Sequence, residues 1–139
     1  MLVLDTNVYL DADRDPALGQ RVLELVAERD DPIGLRSVAG AELLVGVANA
    51  EERQRFLAAT VGSVPADRVL TPTPEDWQAA GDALRTLGGD AATKGRSFWN
   101  DPLIAASCAR AGATLLTRNA EDFRRIRRAI PVAVEPRRA

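Results

Sequence analysis

Four acidic residues occupy positions where a carboxylate is hard to account for as surface decoration. Leu2-Val3-Leu4 runs straight into Asp5, followed by Thr6 and Asn7 and then by more apolar residues. Glu42 is the one charge in the stretch VAGAELLVGVANA, Asp101 precedes Pro102 in NDPLIAA, and Asp122 lies in TRNAEDF. Carboxylates brought together repel, at about 4 kcal/mol for a pair ~4 Å apart at an effective dielectric near 20. A hard divalent cation such as Mg²⁺ or Mn²⁺ turns that repulsion into coordination. Each acid also has a local alternative. Asp5 can close an Asx-turn between strand and helix. Asp101 can cap a helix ahead of Pro102, as Asp15 does ahead of Pro16, and Asp122 can complete a capping box with Asn119. Glu42 is expected to be buried among apolar neighbours, where it costs several kcal/mol unless paired or bound to a cation. Arg36 is within reach of it as a partner.

Composition narrows the chemistry. The chain has 139 residues, no histidine and one cysteine, Cys108. Imidazole-based catalysis, His or thiolate zinc sites and an internal disulfide are thereby excluded, and a lone cysteine suits a reducing cytoplasm. Acids exceed bases by 17 to 10 over residues 1–109, whereas residues 110–139 carry 8 Arg against 3 acids, for a net −2 overall. Arginine suits phosphate contacts, so a local basic patch is possible on an acidic chain. No apolar run approaches the roughly 20 residues of a membrane span, and Met1–Leu4 read as a strand rather than a signal peptide.

The elements that must position these acids alternate between strand and helix. Residues 2–5 read as a buried strand, and Asp15-Pro16 opens a helix whose stripe is Leu18, Val22, Leu25 and Val26. A strand at 33–38 leads into helices at 39–48 and 51–61, with Phe56, Leu57 and Val61 inward. A weak strand follows within 64–70, and Thr73-Pro74 starts a helix carrying Trp77, Ala80, Leu84 and Leu87, closed by Gly88-Gly89. Residues 90–98 read as a polar loop and 100–111 as a helix. The chain then gives a strand at 113–117, a helix at 120–128 and a strand at 131–135. The pattern predicts a single α/β domain over 1–139, a three-layer α/β/α sandwich around a parallel sheet of four to five strands. In such sheets ligands bind at the carboxyl ends of the strands, which is where Asp5 falls.

Taken in order, LDTN at 4–7, AELLVG at 41–46, NDPLIAA at 100–106 and TRNAEDF at 117–123 resemble the PIN domain, and within it the VapC-like toxins of bacterial toxin–antitoxin modules. The ordered set, spanning 4–123, carries the resemblance rather than any one motif. Pro102 stands where the family commonly has a small or apolar residue, and Gly40 where a hydroxyl residue is frequent. The resemblance implies an Mg²⁺- or Mn²⁺-dependent endoribonuclease with Asp5, Glu42, Asp101 and Asp122 as metal-binding catalytic acids. Thr6, Asn7, Thr117 and Asn119 fall where the family places polar supports.

A cation held by these acids would activate water and neutralise charge developing on the phosphate, leaving 5′-phosphate and 3′-hydroxyl ends. Arg118, Lys94 and Arg96 are candidates for holding RNA. The run RRIRR at 124–128 and Trp99 have a possible RNA role beside ordinary ones, as solvated surface and core packing. The resemblance further implies a cognate antitoxin and a homodimer, for which the helices at 39–61 offer an apolar surface. The rival of another class is a catalytically inactive PIN-like module that only binds RNA or protein. A haloacid-dehalogenase-like phosphatase is disfavoured by Asn7, standing where its second Asp belongs. A receiver domain is disfavoured because the sole lysine, Lys94, lies in a loop.

Overall fold

A computed structural model describes residues 1–59, 62, 64–87 and 96–136, the side chains of 59 and 96–99 excepted. The described residues divide into two compact units, those of 1–71 and those of 72–136.

In the first unit, β1 (Leu2–Leu4) is buried on both faces, as its unbroken apolar run requires. It leads into α1 (Thr6–Arg14), with Asp5 as its N-cap at the strand-to-helix junction. Asp15 caps α2 (Pro16–Arg29), accepting from the Ala17 and Leu18 amides with Pro16 at the helix start. Strand β2 (Ile33–Arg36) is shorter than expected, because α3 (Ser37–Val45) begins immediately after Arg36. Helix α4 (Ala50–Ala59) and a 3₁₀ turn (Ala66–Arg68) precede β3 (Val69–Leu70). The strands are parallel in the order β3-β2-β1, with Leu2 opposite Ile33, Val3 opposite Gly34 and Arg36 opposite Leu70. A Cβ on Gly34 would lie 2.7 Å from Met1 Sδ and 3.2 Å from Val3 Cγ2, so a side chain there would crowd β1.

In the second unit, α5 (Pro74–Leu87) starts with a reciprocal cap: Thr73 N–H donates to Asp76 Oδ2 at 3.0 Å, and Asp76 N–H donates to Thr73 Oγ1 at 3.2 Å. Trp77, expected on the apolar stripe of this helix, is instead 62% exposed, while Ala80, Ala83 and Leu84 are buried. Helix α6 (Arg96–Arg110) contains Pro102 in its interior. It therefore begins before Asp101, and Arg96, placed by the sequence in a polar loop, is its first residue. Strand β4 (Thr114–Thr117), α7 (Ala120–Ile126) and β5 (Ala133–Pro136) complete the unit, with β4 and β5 parallel. Its largest fully buried side chains include Phe123, Leu115, Leu116 and Ile126. Five parallel strands with intervening helices give the α/β fold class that the alternation of elements predicts. Gly88, Gly89 and Lys94 lie outside the described residues, as do Val61 and the side chains of Arg96 and Trp99.

Candidate metal centre

The register of β1 and β2 builds one cluster in the first unit. Val3 faces Gly34 across the pair, so two residues on, at the carboxyl ends of both strands, Asp5 stands beside Arg36. Both are buried, at 6% and 4% exposure. Arg36 donates through one terminal nitrogen to Asp5 Oδ1 at 2.9 Å and to Thr6 Oγ1 at 3.2 Å. Asp5 Oδ1 also accepts from the Thr6 amide, and Oδ2 accepts from Asn7 Nδ2, each at 2.8 Å.

Thr6 Oγ1 in turn donates to Glu42 Oε2 at 2.5 Å. Two carboxylates are thus joined through one hydroxyl, with Asn7 and Arg36 fixing the inner acid. Arg36, considered from the sequence as a direct partner of Glu42, pairs with Asp5 instead and reaches Glu42 through Thr6. Glu42 itself is exposed rather than buried, so its position does not carry the desolvation cost expected of it. The reason is that α3 is apolar around its circumference. With no polar stripe to mark the outward side, Ala41, Glu42 and Val45 face solvent, Val45 at 87% exposure.

Asp101 and Asp122 lie in the second unit, on α6 and α7, which pack against each other. Both are partly buried. Asp101 is inside α6, so it does not cap a helix. Asp122 sits in the first turn of α7, where a carboxylate meets the positive end of the helix dipole. Asn119 occupies the N-cap position of α7 but makes no side-chain capping bond. Its amide donates to Oγ1 of the fully buried Thr117 at 3.1 Å, which ties the end of β4 to the start of α7. Arg118 is exposed between them. Of the basic run, Arg124 and Arg125 end α7 while Arg127 and Arg128 follow it.

Sequence reasoning missed a second polar cluster. Asp76 is 3% exposed. It accepts from Ser107 Oγ at 3.1 Å and from Arg110 Nε at 3.0 Å, besides the Thr73 amide. Burial pushes this carboxyl up, but the bonds from Arg110, Thr73 and Ser107 outweigh it and hold Asp76 below its ordinary value. Asp76 is on α5 and its side-chain donors Ser107 and Arg110 are on α6, so the cluster fastens two helices together. Its one sequence signal was the Thr73-to-Asp76 spacing at a helix start.

Among the described residues, no group of three or more His, Cys, Asp or Glu side chains forms a metal cage. The donor chemistry of the first-unit cluster nonetheless fits a hard divalent ion, since two carboxylates and a hydroxyl offer only oxygen. A separate groove of the same unit has a volume near 480 Å³ and is mostly apolar, lined by Leu4, Val22, Val26 and Leu35 among others. Tyr9 also lines it; burial pushes its phenol up, and the charge of Arg36 acts in the opposite direction.

The PIN domain family model matches residues 2–129. The chain belongs to the PIN domain family. No curated protein matches it. Among solved structures, VapBC-1 from nontypeable Haemophilus influenzae is 26% identical, with a TM-score of 0.68 over 98% of this chain and 97% of that one. VapBC2 from Rickettsia felis, bound to a promoter DNA fragment, is 24% identical, with a TM-score of 0.67 over 97% of each chain. FitAcB from Neisseria gonorrhoeae is 22% identical, with a TM-score of 0.66 over 96% of each. The two of these likenesses under 25% identity speak for the fold alone; Asp5 lies within the span that the family model matches. Among the described residues no helix is long and apolar enough to cross a membrane.

Proposed function

We propose that this PIN domain is a divalent-metal-dependent endoribonuclease, the toxin of a toxin–antitoxin pair, acting in the cytoplasm. The observation that carries the reading is the polar cluster at the carboxyl ends of β1 and β2. A buried Asp5 is held there by three donors, the Thr6 amide, Asn7 Nδ2 and the Arg36 guanidinium, and is linked through Thr6 to Glu42. A turn residue needs only the first of these. Asp5, Glu42, Asp101 and Asp122 would hold Mg²⁺ or Mn²⁺, which when bound supplies positive charge and activates water for attack on a phosphodiester.

The residues of the chain have distinct parts in this reaction. Asn7 and the Thr6 amide fix the rotamer of Asp5, and Thr6 Oγ1 aims Glu42. With no histidine in the sequence, no imidazole competes with the carboxylates for a proton-transfer role. The exposed Arg118, next to Thr117 in sequence, would hold an RNA phosphate, with Lys94 and Arg96 as further candidates. The structures resembling this chain are of VapBC and FitAB assemblies, which supports a cognate antitoxin as partner. The exposed Val45 on α3 supports the surface at 39–61 as the place where two copies pair. Purified protein incubated with total RNA and Mn²⁺ should produce 5′-phosphate ends, and EDTA or Asp5→Asn should abolish them. Equal behaviour of wild type and Asp5→Asn in Mg²⁺ and Mn²⁺, with no metal binding, would replace this reading by that of an inactive binding module.

A further inference from the structure

Among the described residues of the first unit Arg36 is the most deeply buried cation, and Asp5 has two further donors beside it. The Thr6 amide holds Oδ1 and Asn7 Nδ2 holds Oδ2, so the carboxylate plane is already fixed. Arg36 adds charge, through the 2.9 Å contact to Oδ1. It is a costly way to stabilise a fold. Its Nε is buried and has no hydrogen-bond partner among the described residues, and an orphaned buried donor is destabilising. A buried ion pair of this kind often contributes no more than a well-packed apolar pair would.

The placement has an effect on a cation. Arg36 donates to the one hydroxyl, Thr6 Oγ1, that joins Asp5 to Glu42, so its charge lies against both acids at once. We propose that Arg36 is a positioning residue, the internal counter-charge of Asp5, which keeps the Asp5–Thr6–Glu42 cluster assembled without a metal and lowers the affinity of that cluster for a divalent cation. The inference rests on the metal-site reading above. The chain needs no metal ion to hold Asp5 in place, because Arg36 supplies the counter-charge, and an incoming ion meets a carboxylate that is already paired. Repulsion between a unit charge and a divalent ion that share one carboxylate is large enough, even in a screened environment, to change affinity by about tenfold.

The test is Mn²⁺ binding, followed by the spin-resonance signal of free Mn²⁺, together with thermal melting, on wild type, Arg36→Met, Arg36→Lys and Asp5→Asn. Arg36→Met should melt lower than wild type without metal, bind Mn²⁺ about tenfold more tightly, and gain more in melting temperature when Mn²⁺ is added. Arg36→Lys keeps the charge and should bind Mn²⁺ within threefold of wild type; it carries the comparison of charge against shape if the Met variant does not fold. Affinity equal to or weaker than wild type in Arg36→Met, or a Lys variant tenfold tighter, would overturn the inference while leaving the metal site standing. Wild type and Asp5→Asn binding Mn²⁺ equally weakly would overturn the metal site and the inference with it.

Discussion

Replacing Asp76 by Ala should cost the protein about 3 kcal/mol without touching its chemistry. The carboxylate is 3% exposed and accepts from the Thr73 amide, Ser107 Oγ and the Arg110 guanidinium. Hydrogen bonds involving a charged partner contribute ~1.5–3 kcal/mol each. The losses do not simply add. The Arg110 side chain is 41% exposed and can turn to water, and Ser107 Oγ keeps its bond to the Leu103 carbonyl at 3.0 Å. Only the Thr73 amide is left without its acceptor, so one strong bond plus one uncapped donor sets the scale. For a chain of this length, ~3 kcal/mol corresponds to a fall in melting temperature of roughly 10 °C. The pH dependence provides an internal check. Asp76 is held below its ordinary carboxyl value of 3.8, so its contribution is fully present above that pH and is lost as the pH falls through the folded-state value. The stability gap between wild type and Asp76→Asn, from urea unfolding followed by circular dichroism, should be constant from pH 7 to pH 5 and shrink below about pH 4. A gap under ~1 kcal/mol at pH 7, or one that widens in acid, would refute the assignment of Asp76 as the fastening between α5 and α6.

Other perturbations follow from the same geometry. Thr6→Val removes the hydroxyl that Arg36 donates to and that donates to Glu42, and should lower RNA cleavage by about 10- to 100-fold through misplaced ligands, read as kcat under saturating Mn²⁺. Phe123→Ala, at a fully buried position, should cost ~3–5 kcal/mol, whereas Trp77→Ala, at 62% exposure, should cost under ~1 kcal/mol; paired urea titrations would compare them.

The parts of this fold that local chemistry dictates were readable in advance. An unbroken apolar run marks β1 as buried and puts Asp5 at its end. Asp15-Pro16 is a helix start because Pro lacks the amide that the first turn would leave unpaired anyway. The same rule misplaced the start of α6, since Pro102 lies in the helix interior, a location that only surrounding packing can make tolerable. Glu42 was misjudged because α3 offers no polar stripe from which to tell its outward face. Arg36 is the clearest case of information that composition does not hold. Its place beside Asp5 comes from the β1–β2 register, a pairing between residues 31 positions apart, and nothing local distinguishes it from any other arginine. Asp76 and Arg110 were hidden for the same reason. A long-range polar pair becomes visible only once the elements that carry its two halves are packed.

The central proposal is a metal-dependent nuclease whose reaction needs each of Asp5, Glu42, Asp101 and Asp122. Single-turnover cleavage of one defined RNA in Mn²⁺, measured for Asp5→Asn, Glu42→Gln, Asp101→Asn, Asp122→Asn and the fourfold variant, tests it most directly. Residues that act as a unit are strongly non-additive, so each single change should lower the rate by about 10³-fold or more and the fourfold variant should be little worse. A rate within about tenfold of wild type for Asp101→Asn or Asp122→Asn, or losses that multiply across the four, would contradict the proposal.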